Sequence, residues 1–449
     1  MSRRCTRRRV LATAGTVVGT FALAGCVNNE SRYWDSPPSF DDDGLESVTD
    51  RTVPDRPTVI PVAIADDRRR AIGGRVDELL EPIPEPLTVD TLPNGAIREE
   101  ITSEREAARS CVGQMEDTTT TLDTATVAAD AREHAGRAAG VWAAVSTAHS
   151  LEDVTLSESE VSSEMSQLAD DLPGDAASPL EGSVVYGPIE SWLDTARRST
   201  LVGRSSIGNR ANPVREGSAV GDVERIRAEI EVGEHLRDRY VEHLERPRAI
   251  EGDLETALEE FAPHVRDRFL EFHGEEDVER PWMAPSLDDV LGSDRPRDHP
   301  GVRLFSTEMY DLFDEIRFEP IAWPEMTVDH PAHRLRTTHW ALAGLETLER
   351  IGERVDDGDE LFPGDADELR RNRNAAIDAV DDLLGSGAPL ERWSARRLVD
   401  RFGDPDELVA SGVDADPREI ADANGSYVWI ATMADTATEA SSLVESLLP

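Results

Sequence analysis

From residue 66 onward apolar side chains return every three or four positions, segment after segment, and this period limits the fold more than any other feature. Spacings of three and four line one face of an α-helix, whereas a half-buried strand needs strict alternation. Asp66 and Asp67 open a predicted helix that runs to about Leu80. Ile97, Ile101, Ala108, Cys111 and Met115 make one stripe over residues 95–117, and Val127, Ala131, Ala138, Val141, Trp142 and Val145 another over 122–148. The pattern continues over 157–172 and 187–202, then in a hairpin of 219–245 and 253–272, whose second arm Pro263 should kink or split. Later helices are predicted at 306–317, 331–355, 366–384, 390–402 and 430–448. Short extended pieces are expected only at 58–65, 182–186 and 427–430. The expected fold is all-α, an irregular multi-helix bundle or array with long loops and few or no strands. No fixed-period repeat supports a regular solenoid.

Composition divides the chain. Residues 274–304 are rich in Gly, Pro and Asp and lack a period, so they are read as a linker loop between an N-terminal helical domain, 58–273, and a C-terminal one, 305–449. Residues 26–57 carry Pro37-Pro38, Asp41 to Asp43, Pro54 and Pro57, and read as a disordered tether. The 449 residues suffice for a substantial core or for two domains.

All 47 basic residues are arginine, against 91 acidic ones, for a formal charge of −44. Such a chain repels nucleic-acid phosphates, and nucleic acid is not an expected partner. The acids are dispersed, which suits a hydrated surface whose self-repulsion concentrated salt would screen. The absence of lysine removes P-loop, Schiff-base, pyridoxal-phosphate and serine-lysine chemistry from this chain acting alone.

The N-terminus reads as an export signal. A basic start with Arg7 and Arg8 precedes an apolar stretch from Val10 to Ala24, which glycines and threonines interrupt and which is shorter than the ~20 residues of a membrane-crossing helix. It ends at Leu23, Ala24, Gly25 and Cys26. This resembles the twin-arginine signals joined to a lipobox in prokaryotic lipoproteins, and the acidic composition resembles that of extremely halophilic archaea. The resemblance implies a signal peptide over residues 1–25, a diacylglyceryl group on Cys26, and a cell-membrane location with the chain held by lipid on the extracellular face. Two acyl chains anchor firmly where one is marginal. Cys111 then lacks an internal partner and reads as a buried small thiol.

Candidate chemistry in the mature part is sparse. His330, His333 and His339 form the densest histidine set, but at ~100° per residue His339 stands ~120° around the helix from His333. A metal would need a fold-back from another segment, such as Asp329 or Glu346. His243 follows Tyr240 by three and is expected inside. Neither Glu-x-x-His nor His-Glu-x-x-His occurs, and Gly203 to Gly208 fails the Gly-x-Ser-x-Gly spacing. The loop at 203–217, with Arg204, Arg210 and Arg215, could bind an anion. Trp282 and Trp323, each beside prolines, could line a cleft. No cofactor is predicted and no metal site is assigned. The expected function is noncatalytic binding of a small molecule or an envelope protein. Metal-assisted hydrolysis using the three histidines is the alternative, and a purely structural envelope role is the third reading.

Overall fold

The computed structural model describes residues 40, 42–146, 158–203, 212–273, 285–291, 296–316, 329–359, 361–412 and 416–448. Its helices are α1 (Asp42–Glu46), α2 (Asp66–Leu80), α3 (Gly95–Gln114), α4 (Thr121–Val145), α5 (Glu158–Asp170), α6 (Pro179–Gly203), α7 (Pro213–His243), α8 (Glu251–His273), α9 (Leu287–Val290), α10 (Pro300–Ile316), α11 (Pro331–Asp356), α12 (Ala366–Ser386), α13 (Pro389–Arg401), α14 (Gly403–Ala410) and α15 (Pro417–Leu447). The strands among the described residues are two-residue pieces, β1 (Asp175–Ala176) and β2 (Arg248–Ala249), paired antiparallel. The all-α expectation holds.

Local chemistry sets many helix ends. Asn94, Thr120, Asn212, Asp365 and Asp416 each accept a backbone N–H in the first turn of the helix they precede, replacing a partner those amides lack within the helix. Asp416 and Glu419 complete a reciprocal capping box.

Helices α2, α3 and α7 pack around α4, while α10, α12, α13 and α14 pack around α15 and its neighbour α11. One element joins these groups: α6 packs on α7 of the first and on α11 and α13 of the second, while α8 lies on α11. Helices α4 and α7 approach closely. A β-carbon added at Gly140 would stand 2.9 Å from the Gly217 Cα, and one added at Gly136 would stand 3.0 Å from the Gly221 Cα. Antiparallel glycine pairs four residues apart thus bring two backbones together. Beside them Arg132, buried, meets Glu224 at 2.5 Å and Glu231 at 3.0 Å, while Arg75 reaches the other Glu224 oxygen at 2.6 Å.

Several expectations are corrected. Residues 182–186 and 427–430 are helical, within α6 and α15. The run from Ser183 to Glu190 is buried on every side, so it needs neither a polar face nor a visible helical period. Residues 42–57 of the expected tether are docked: Leu45 and Val48 are buried, and Arg373 donates to the carbonyls of Val48 and Arg51. Residues 26–39 and 41 lie outside the described residues. Pro263 sits inside α8 without splitting it; it is exposed, and the Glu259 carbonyl it leaves unpaired belongs to an exposed residue that water can serve. Part of the expected linker is ordered, since Leu291 is buried and α10 starts at Pro300; residues 274–284 and 292–295 lie outside the described residues. No helix among the described residues is long and apolar enough to cross a membrane.

Candidate functional site

A cleft of about 680 Å³ opens where α3 and α4 approach α13 and α14, and the segment around Val53 to Arg56 runs along it. That volume is in the range of small-molecule sites, ~300–1,000 Å³. Pro54, Pro57 and Pro61 keep the segment extended, because none of them supplies a backbone N–H for a helix. Val53, Val127, Val399 and Phe402 give the cleft apolar wall, and the buried Cys111 contributes to its floor.

Asp123 is the centre of its polar side. The Thr120 hydroxyl accepts the Asp123 backbone N–H at 3.2 Å and donates to its carboxylate at 2.8 Å, so the start of α4 fixes this side chain. Arg396 from α13 meets Asp123 at 2.8 Å and donates to Thr120 at 2.9 Å. Arg56 meets Asp123 at 3.0 Å and pairs through Nε with Asp400 of α13. Burial acts to raise the Asp123 carboxyl, but the Thr120 hydroxyl and the guanidinium groups of Arg396 and Arg56 outweigh it and hold it below the usual carboxylate range. Asp406, on α14, is held by Arg373 at 2.6 and 2.8 Å and accepts from the Tyr427 hydroxyl at 2.7 Å. Asp130 pairs with Arg225 at 2.6 Å.

The histidines expected to matter lie elsewhere, at the start of α11. His330 precedes the helix in a left-handed conformation, φ 68°, and offers no side-chain cap. Glu190 of α6 fills that role across the helix interface, accepting the His333 backbone N–H at 2.7 Å. The other Glu190 oxygen, His330 Nε2 and Arg336 Nε have no hydrogen-bond partner among the described residues. Burial pushes the Glu190 carboxyl up to about 8, against the pull of the His333 amide and Arg336, and brings the Arg336 guanidinium down to about 9. Burial, then Arg336 and Arg334, keep His333 well below the ordinary histidine range. Gly187 makes room for this arrangement, since a β-carbon there would meet Arg336 Nε at 2.7 Å. Arg336 lies over Trp393 at 4.9 Å and Arg397 over Trp340 at 4.0 Å, with Arg397 also paired to Glu315 at 2.6 Å.

His339 faces away, toward α15, where Nε2 donates to the Ala437 carbonyl at 3.2 Å and lies 2.9 Å from Ser441 Oγ. The rotation read from the sequence therefore separates it from His333, and among the described residues no group of three or more His, Cys, Asp or Glu side chains is arranged to hold a metal. Asp329 pairs with Arg197 at 3.3 Å. His243 is exposed, contrary to expectation, and its Nδ1 lies 2.6 Å from the Arg239 carbonyl. Trp282, Trp323, Arg204, Arg210, Arg7, Arg8, Leu23, Ala24, Gly25 and Cys26 lie outside the described residues, while Arg215 falls in the first turn of α7. The sequence reading missed the cleft. Its one visible trace is the Thr-x-x-Asp box at 120–123, and nothing local marks Arg56, Asp400 or Glu190.

Residues 67–246 match the family described as "Domain of unknown function (DUF8262)", and residues 251–446 match the one described as "Domain of unknown function (DUF8264)". The cleft draws on both matched stretches and on the segment before them. The matches meet between α7 and α8, upstream of the boundary expected from composition. No curated protein and no solved structure matches the chain.

Proposed function

We propose that this is a noncatalytic binding protein, exported and held by a diacylglyceryl group on Cys26 at the outer face of the cell membrane, which takes a small molecule in the cleft between α3–α4 and α13–α14. The observation that carries the binding reading is the cleft: ligand-sized, partly apolar, and lined by three separate stretches of chain. The anchoring reading rests on the signal-like residues from Arg7 to Cys26. The hydrolase alternative gains no support, because its three histidines do not converge.

Native mass spectrometry of protein extracted from membranes in concentrated salt tests both halves of the proposal. The chain should start at Cys26 with its lipid mass and carry a noncovalent small molecule that Val127→Trp, which fills the cleft, no longer retains. An intact amino end would overturn the anchor. A small molecule held equally by Val127→Trp, or co-recovery of another protein with no small molecule, would overturn the cleft.

A further inference from the structure

We infer that the cleft takes an organic cation, a guanidinium or primary ammonium compound, and that Arg56 is a built-in competitor occupying the cation's place. This rests on the reading of the cleft as the ligand site.

The first support is an occupant already in place. The chain's own guanidinium sits at the cleft, bridging Asp123 of α4 and Asp400 of α13, on a segment outside any helix. A site that seats an arginine head between two carboxylates presents the geometry a free guanidinium needs. The second is the charge around the cavity. Among the described residues its lining holds Asp55, Asp117, Asp123, Asp130, Asp400 and Asp406, with Arg56 as the one basic residue. Arg396, Arg225 and Arg373, which are outside the described lining, pair with three of these acids, Asp123, Asp130 and Asp406. With Arg56 withdrawn, Asp55, Asp117 and Asp400 are left without an ion pair among the described residues, and the space carries net negative charge next to apolar wall. An anionic ligand would meet uncompensated repulsion there; a cation with a short alkyl body would meet both surfaces.

The third is the weakness of the latch. Arg56 is 34% exposed and Asp400 42% exposed, so water competes for both and the pair holds the segment only loosely. Arg396 keeps Asp123 neutralised and in position when Arg56 leaves, so the site stays formed. Displacement would release Arg56 and its immediate neighbours from the cleft, while Leu45, Val48 and Arg51 keep the preceding segment docked.

The test uses agmatine, which carries a guanidinium and an ammonium on a four-carbon body, titrated into the folded protein by calorimetry in about 1 M KCl. Screening over ~3 Å at that ionic strength leaves direct contacts and removes the general pull of an acidic surface. A latch closed about nine-tenths of the time lowers apparent affinity about tenfold, so Arg56→Ala and Arg56→Gln should each bind agmatine about tenfold more tightly than the wild type. The Arg56 Nε–H resonance of the wild type should shift on titration, a readout that needs no variant to fold. Asp400→Asn in the Arg56→Gln background should weaken binding again. Equal affinity in wild type and both Arg56 variants, with binding still lost in Val127→Trp, would refute the latch and leave the cleft reading standing. Failure of agmatine to bind any of them, while the native small molecule is still lost from Val127→Trp, would refute the cation and spare the cleft. Loss of both results would sink the cleft itself.

Discussion

Replacing Glu190 by glutamine should remove most of one pH dependence of stability. Glu190 is fully buried, caps α11 from α6, and titrates near 8 in the folded protein against 4.5 for an ordinary glutamate. Its folded value lies above its unfolded one, so the native state prefers the protonated form. The stabilising contribution is complete below the unfolded value and is lost as pH rises toward the folded one. Integrating between pH 5 and pH 8 gives a loss of ~3–4 kcal/mol from this single carboxyl. Glutamine keeps a carbonyl oxygen for the His333 amide and cannot ionise. The difference in unfolding free energy, wild type minus Glu190→Gln, should therefore fall by ~3–4 kcal/mol over that range, measured by urea unfolding at fixed KCl. The buried Glu229 carboxyl, raised to about 7 in the α4–α7 network, contributes to both proteins and cancels in the difference. A difference that stays flat within ~0.5 kcal/mol from pH 5 to pH 8 would refute the reasoning, because it would mean that Arg336 and the α11 amides hold Glu190 ionised despite its burial.

Three further outcomes follow from particular contacts. Gly140→Leu should destabilise by ~1–3 kcal/mol or more, since its β-carbon would stand 2.9 Å from both the Gly217 Cα and Val220, and a thermal melt reads the loss. Arg373→Met should cost ~1–3 kcal/mol by removing the guanidinium from the half-buried Asp406, which keeps only the Tyr427 hydroxyl, and it should expose residues 42–57 to protease before the rest of the chain. Cys26→Ser should move the protein from the membrane fraction to the medium, which fractionation and immunoblotting would show; retention in the membrane would count against the lipid anchor.

Helix positions were largely legible. The period in α3 and α4 and the breaks at Pro82–Pro86 and Pro173-Gly174 are local, so they survive without any knowledge of partners. The reading failed where burial is uniform. In α6 around Val184 and in α15 around Tyr427 a buried face surrounds the helix, and the β-branched and aromatic run imitates a strand. It failed again at residues 42–57, where no period exists and the ordering partners, Arg373 and the core around Leu45 and Val48, come from more than 300 residues away.

The all-α class and the exclusion of lysine chemistry were determined by the sequence alone, because apolar period and residue inventory need no partner. Which carboxylates matter was decided only by the tertiary structure. Among 91 acids nothing in the neighbouring residues distinguishes Glu190 or Asp400, and Asp123 carries only the Thr-x-x-Asp spacing of a helix start. Their behaviour depends on how much water the fold removes and which distant guanidinium it supplies, and both are set by contacts such as Arg56 with Asp400, 344 positions apart.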